Sequence, residues 1–194
     1  MKKEKKSQIE KIVSEHKKLL KTLSTEKFQK NVGTVVSMMF AAIKNNKKII
    51  VCGNGGSAAD SQHLAGELVG RFQKEREALP CIAITTNTSI LTAVGNDYSF
   101  EKIFSRQIEA IGKKGDILIL ISTSGESANI LDAALTAKNK GIKTVSLTGA
   151  EPNKLARISN INIPVPSKST PRIQELHSLI VHIICGLLEE KIIS

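Results

Sequence analysis

Apolar residues recur along the first part of the chain at helical spacing. Ile9, Ile12, Val13, His16, Leu19, Leu20 and Leu23 keep an i, i+3, i+4, i+7 rhythm. Phe28, Val32, Val35, Val36, Met39, Phe40 and Ile43 repeat it after a break around Ser24 and Thr25. Two amphipathic helices are therefore predicted as an N-terminal extension over about residues 1–46. Beyond them the pattern changes to short, continuous apolar runs. Residues 48–52, 81–84, 117–121, 144–147 and 161–165 read as buried strands. Helical stretches at about 57–71, 89–94, 100–111 and 127–140 separate them. Short strands interleaved with helices predict a parallel sheet covered on both faces.

The last helix, about 171–190, has a different pattern. Ile173, Leu176, Leu179, Ile180, Val181, Ile183, Ile184, Leu187 and Leu188 leave it apolar almost all round. A helix of that kind must be buried on several sides. In a chain this small, burial against other subunits is the expectation, with a central helix of a monomer as the alternative.

Composition narrows the class. With 194 residues, 41% of them hydrophobic and 24% charged, the chain has the balance of one soluble domain, taken as 1–194, with a full core. Cys52, Cys81 and Cys185 form no C-x-x-C pair and are odd in number, which argues against a disulfide or zinc-finger framework and fits a reducing cytoplasm. No apolar run of signal-peptide length follows the basic MKKEKK start, and the aliphatic run 117–121 is far too short to cross a bilayer. A cytoplasmic protein without a membrane partner is expected. The net charge of +10 is concentrated early, in Lys2, Lys3, Lys5, Lys6, Lys11, Lys17, Lys18 and Lys21. Aromatics are only 3%, so stacking platforms for single strands are nearly absent and no nucleic-acid partner is expected. The charge suits an anionic small molecule instead.

Two turns carry candidate chemistry. Gly53-Asn54-Gly55-Gly56-Ser57 follows the first strand and opens a helix, where bare backbone can approach an anion at a helix N-terminus. Its spacing satisfies G-x-G-x-x-A through Ala58, yet the second strand ends in Thr85, Thr86 and Asn87 without the acidic residue a nicotinamide site needs. There is no G-x-x-x-x-G-K-[ST] either. The second turn, Ser122-Thr123-Ser124-Gly125-Glu126-Ser127, places four hydroxyls before another helix. That is a phosphate cradle without a cation; the plain alternative is capping and turn chemistry. In an open parallel sheet such turns lie at the carboxyl ends of the strands, where ligands bind.

The ionisable residues are weaker signals alone. His63 and Glu67, four apart, share a helix face, as ordinary helical pairs do. His177 on the apolar last helix reads as a satisfied core histidine, and His182 lies one turn on. Gln174 sits near that helix's start, behind Pro171. Asn96 and Asp97 read as a loop after a short helix.

Taken together, GNGGSAADSQHLAGEL, VGNDYSF, ISTSGESAN and RIQELHSLIVHI closely resemble the sedoheptulose 7-phosphate isomerases of bacterial heptose biosynthesis, over essentially the whole chain. The resemblance implies a flavodoxin-like three-layer α/β/α sandwich, the sugar-isomerase (SIS) fold, with a five-stranded parallel sheet. It implies a homotetramer with active sites at subunit interfaces, and conversion of D-sedoheptulose 7-phosphate to D-glycero-D-manno-heptose 7-phosphate, the first step toward ADP-heptose. By the same resemblance Asn54, Gly55, Gly56, Ser57, Glu67, Asn96, Asp97, Ser122, Thr123, Ser124, Ser127 and Gln174 would contact the phosphosugar. His63, Glu67, Gln174 and His182 would bind one zinc ion per site, with Glu67 and His182 as the acid–base catalysts.

Gln174 and His182 are eight residues apart, about 12 Å along a helix, so they barely reach one ion from the same helix. Side chains from different subunits are therefore expected to combine. The rival class is a non-catalytic SIS-fold protein that binds a replication-initiation partner. Such relatives tend to lack a carboxylate at the position of Glu67. Arabinose 5-phosphate isomerases and the amidotransferring synthase carry extra domains for which 194 residues leave no room.

Overall fold

The structure, a computed structural model, describes residues 2–194, with side chains from residue 7 onward. The side chains of Lys2, Lys3, Lys5 and Lys6 thus lie outside the described residues. Helix α1 (Lys2–Leu20) passes through a 3₁₀ turn, Lys21–Ser24, into α2 (Glu26–Lys44), which Thr25 caps by accepting from Phe28 N–H. The rest alternates: β1 (Ile49–Gly53), α3 (Gly56–Val69), β2 (Cys81–Ala83), α4 (Thr88–Asp97), α5 (Ser105–Ile111), β3 (Ile117–Ser122), α6 (Ala128–Asn139), β4 (Lys143–Thr148), α7 (Lys154–Ile158), β5 (Ile161–Pro164) and α8 (Thr170–Ile193).

All neighbouring strands are parallel, in the order β2-β1-β3-β4-β5. Period-two alternation within the continuous apolar runs divides the core between the two faces. Ile49, Val51, Ile117, Ile119, Ile121, Val145 and Leu147 point toward α2, α3 and α8. Ile50, Cys52, Leu118 and Leu120 point toward α5, α6 and α7. Both sheet faces are covered; the polar side of β4, Thr144, Ser146 and Thr148, is buried too and bonds to Asn160 and Asn162.

Four departures from the expectations have physical causes. The stretch expected to be helical from 100 to 111 breaks into a 3₁₀ turn, Phe100–Lys102, and α5. Asn96 and Asp97 are not in a loop; they form the last turn of α4, which runs three residues beyond its last apolar position, Val94. The short α7 was not foreseen; its start is set by Asn153, whose side chain accepts from Ala156 N–H at 2.8 Å. The apolar circumference of α8 is largely covered within one chain, where Ile173, Leu176, Ile180, Val181, Ile184 and Leu188 are all buried. Leu179 and Ile183 stay partly exposed and Leu187 exposed.

Candidate phosphate cradle and metal centre

β1 and β3 are adjacent, but the chain leaves β1 for one edge of the sheet and β3 for the other. The crevice between their carboxyl ends is the switch point of the sheet. Both unusual turns open into it. Asn54, Gly55, Gly56, Ser57, Ile121, Ser122, Thr123, Ser127, Thr170 and Gln174 line a cavity of about 270 Å³ there. Gly55 takes φ +53°, a left-handed conformation that suits glycine, and α3 then starts without a side-chain cap. A side chain at Gly56 would collide with the Gln174 amide, so this glycine lets α8 close over the loop.

The second turn is fastened from below. Ser122 Oγ accepts from Gly125 N–H at 3.1 Å, and Ser124 Oγ from Glu126 N–H at 3.2 Å. Glu126 receives Lys154 through its backbone N–H at 2.9 Å and its ammonium at 3.0 Å. Those hydrogen bonds and that charge hold its carboxyl below the usual range. Ser127 stands at the N-cap of α6 yet makes no capping bond, which leaves its hydroxyl available to a ligand. Asn54 and Asn129 exchange two amide hydrogen bonds, each 2.9 Å, and so tie the two turns together. Two helix starts thus border one crevice, an arrangement that would suit an anion. Ser124 faces a neighbouring cavity of about 430 Å³, shared with Thr123, Lys168 and Thr170. Asn96 and Asp97 line neither cavity; Asn96 Nδ2 donates to Asp97 Oδ1 at 2.8 Å.

From the cradle a stripe of polar contacts runs between α3 and α8. Gln174 lies over Gly56, Ser178 donates to Asp60 at 2.6 Å, and His182 meets His63. Gln174, Ser178 and His182 are spaced by four along α8, so they share one face. At the far end His63, Glu67 and His182 bring their ligand atoms within 4.8 Å of one another. His63 Nε2 lies 3.1 Å from Glu67 Oε1 and 3.1 Å from His182 Nε2, with the two imidazoles edge to face at 4.8 Å. One ring nitrogen cannot donate a single proton to both neighbours. Donors on a tetrahedral zinc are about 3.3 Å apart given Zn–N distances near 2.0–2.1 Å, so the spacing and the imidazole–carboxylate chemistry suit a divalent cation.

These three groups come from a single chain. Within this chain Gln174 stands at the cradle and His182 at the cluster. His177, facing inward, is wholly buried, with Nε2 3.1 Å from the Thr148 carbonyl oxygen. Burial pushes its imidazole below the ordinary range, as suits a core histidine. Asn129, Asp60 and Ser178 had no signal in the sequence, because each acts through a partner far away in the chain.

A crevice lined by glycines and hydroxyls at the switch point of a parallel five-stranded sheet, with an imidazole–carboxylate cluster further along the same helices, fits a domain of the SIS class. The family model described as the SIS domain matches residues 13–149. The phosphoheptose isomerase of Nitratiruptor sp. is 51% identical over 183 residues, 94% of this chain and 97% of that protein. The solved phosphoheptose isomerase of Neisseria gonorrhoeae superposes with a TM-score of 0.89 at 36% identity, covering 95% of this chain and 98% of that one. That of Francisella tularensis gives 0.91 at 35% identity, covering 95% and 97%. The chain belongs to the phosphoheptose isomerase family. Nothing in these relatives supports the rival, a non-catalytic partner-binding protein.

Proposed function

We propose that this chain is the aldose–ketose isomerase that converts D-sedoheptulose 7-phosphate to D-glycero-D-manno-heptose 7-phosphate, the reaction that opens the route to ADP-heptose. The observation that carries this reading is the polar stripe joining an anion cradle to His63, Glu67 and His182. Gln174 and His182 are about 12 Å apart along α8, a span an opened seven-carbon sugar can bridge with its phosphate in the cradle. Gly55, Gly56, Ser57, Ser122, Thr123, Ser124 and Ser127 would hold the phosphate, and Asn54 and Gln174 the adjoining oxygens. Asn96 and Asp97 would reach the sugar only from another copy, since neither borders the cavities of their own chain.

Moving the carbonyl from C2 to C1 requires one proton to leave C1 and one to arrive at C2. In this reading the Glu67 carboxylate takes the first and returns it through an enediol, and His182 exchanges the second proton between O1 and O2. Glu67 is only 24% exposed and so is partly screened from bulk water. His63, Glu67 and His182 would hold zinc, with Gln174 joining only by turning from Gly56. When bound, the ion supplies polarisation of the neighbouring sugar oxygens.

The reading extends to a cytoplasmic homotetramer. Ile9, Ile12 and Val13 on α1 are 63%, 46% and 45% exposed, an apolar face suited to a second copy. Three free cysteines fit a reducing compartment. Among the described residues no helix is long and apolar enough to cross a membrane.

A coupled assay with sedoheptulose 7-phosphate tests the reaction. Wild type is expected to turn over, and Glu67→Gln and His182→Ala are each expected to lose about 10²–10⁴-fold in kcat while remaining folded. Full activity of Glu67→Gln would remove the assigned base.

A further inference from the structure

We infer that Glu189 and Arg76 form a buried clamp that positions the reacting end of the site, acting through Phe72 on His182 and through the end of α3 on Glu67. This rests on the functional reading above and adds residues to it that touch no substrate.

The segment after α3 has no regular structure, yet it is held more firmly than a loop of its length needs. Glu189, two turns beyond His182 on α8, accepts three successive backbone N–H groups. Phe72 N–H reaches Oε1 at 3.0 Å, and Gln73 and Lys74 N–H reach Oε2 at 2.9 Å each. The Arg76 guanidinium lies against the same carboxylate, Nε to Oε1 3.4 Å, and each side chain is 3% exposed. Burial opposes the charge on Glu189, but the three amides and Arg76 outweigh it and hold its carboxyl below the ordinary range.

The clamp ends on both sides of the candidate acid–base pair. Arg76 Nη2 donates to the Glu67 carbonyl at 2.8 Å, and Nη1 to the carbonyls of Leu68, Gly70 and Glu77 at 2.9, 3.2 and 2.9 Å. The final carbonyls of a helix lack partners within it. Arg76 supplies them, so the last turn of α3, which carries Glu67, cannot fray. On the other side Phe72 is brought against His182, ring centroids 5.5 Å apart and tilted by 36°. His63 meets the same imidazole, ring centroids 4.8 Å apart. The ring of His182 is thus fixed between two neighbours, and Glu189 fixes one of them.

Two substitutions test this in the full-length enzyme as purified. Phe72→Ala removes the ring without burying a charge. It is expected to lower kcat at least fivefold with KM within twofold of wild type, because the cradle lies at the opposite end of α8. The His182 imidazole resonance should shift, and Phe72→Tyr should restore both. Glu189→Gln is expected to lower kcat at least tenfold with KM within twofold. Adding Phe72→Ala to it should cost less than the single effects combined, since both act in one chain of contacts. If Glu189→Gln does not fold, the Phe72 variants decide alone. Wild-type kcat and an unmoved His182 resonance in Phe72→Ala would overturn the clamp, as would KM rising in step with the loss of kcat. A wild-type protein that does not turn over sedoheptulose 7-phosphate would sink the functional reading instead, while the imidazole resonance still reports on the clamp.

Discussion

At one end of the α3–α8 stripe the groups offered to a ligand are backbone amides and short hydroxyls in two tight turns. At the other they are three long side chains from two helices that meet only because the fold packs them together. The first is assembled locally: a strand ends, a glycine or serine run turns the chain, and a helix starts. The second depends on the whole domain, since His63 and His182 are 119 residues apart and their approach is supported by Glu189 and Arg76. A local site resists change elsewhere but holds only what a helix start favours, an anion. A long-range site can combine imidazoles and a carboxylate at chosen distances, at the cost of depending on its supports.

The largest expected effect breaks the long-range end. Removing divalent ions with a chelator should lower kcat by about a hundredfold or more, with KM within threefold, and added zinc should restore it. Alanine at His63 should weaken zinc retention, measured by elemental analysis after gel filtration. Full turnover by protein shown to contain no metal would separate the cluster from the chemistry. It would leave the histidines as proton carriers only.

Legibility in the sequence followed the same division. β1, β2 and β3 were readable because each is an apolar run, which must be buried on both faces, whereas β4 and β5, with Thr144, Ser146 and Asn162, were readable by their place in the alternation with helices. The cradle was readable because its glycines and serines are contiguous with the strand ends. His177 was readable as core because the residues around it on α8 are apolar. The cluster was not readable from spacing: His63 and Glu67 look like any helical pair until His182 is brought to them. Asn129, Asp60, Ser178 and Glu189 left no mark, since their partners lie 75 to 118 residues away. Asn96 and Asp97 were misplaced because polar residues at the end of a helix carry the same composition as a turn.

The second prediction breaks the local end. Ser127→Ala removes one hydroxyl from the cradle while leaving its amides. A hydrogen bond to a charged group is worth about 1.5–3 kcal/mol, so KM should rise by about tenfold to a hundredfold with kcat within threefold. Zinc retention should be unchanged. Were kcat to fall with KM unmoved, phosphate binding would lie elsewhere, and the larger cavity beside Ser124 and Lys168 would be the place to look.

The smallest effect concerns the strand starts, and it asks whether either end depends on them. Asp116, 1% exposed, accepts Lys48 N–H at 3.1 Å, the Lys48 ammonium at 2.6 Å and Lys113 N–H at 2.8 Å, joining the entries to β1 and β3. Burial works against its charge, but the bonds from Lys48 and Lys113 prevail and hold its carboxyl below the ordinary value. A carboxylate depressed in the folded state stabilises fully above its unfolded pKa, about 3.9, and less as the pH falls below that toward the folded value. Asp116→Asn should therefore cost about 1–3 kcal/mol at pH 7 in denaturant unfolding, with the gap to wild type narrowing below about pH 4. Because the side-chain partners of Asp116 are Lys48 and Lys113, outside both halves of the site, KM and kcat at pH 7 should stay within twofold. A selective loss of kcat would mean that the spacing of β1 and β3 reaches the histidine cluster through α3, and the long-range end would then depend on a support at the strand starts as well as on Glu189 and Arg76.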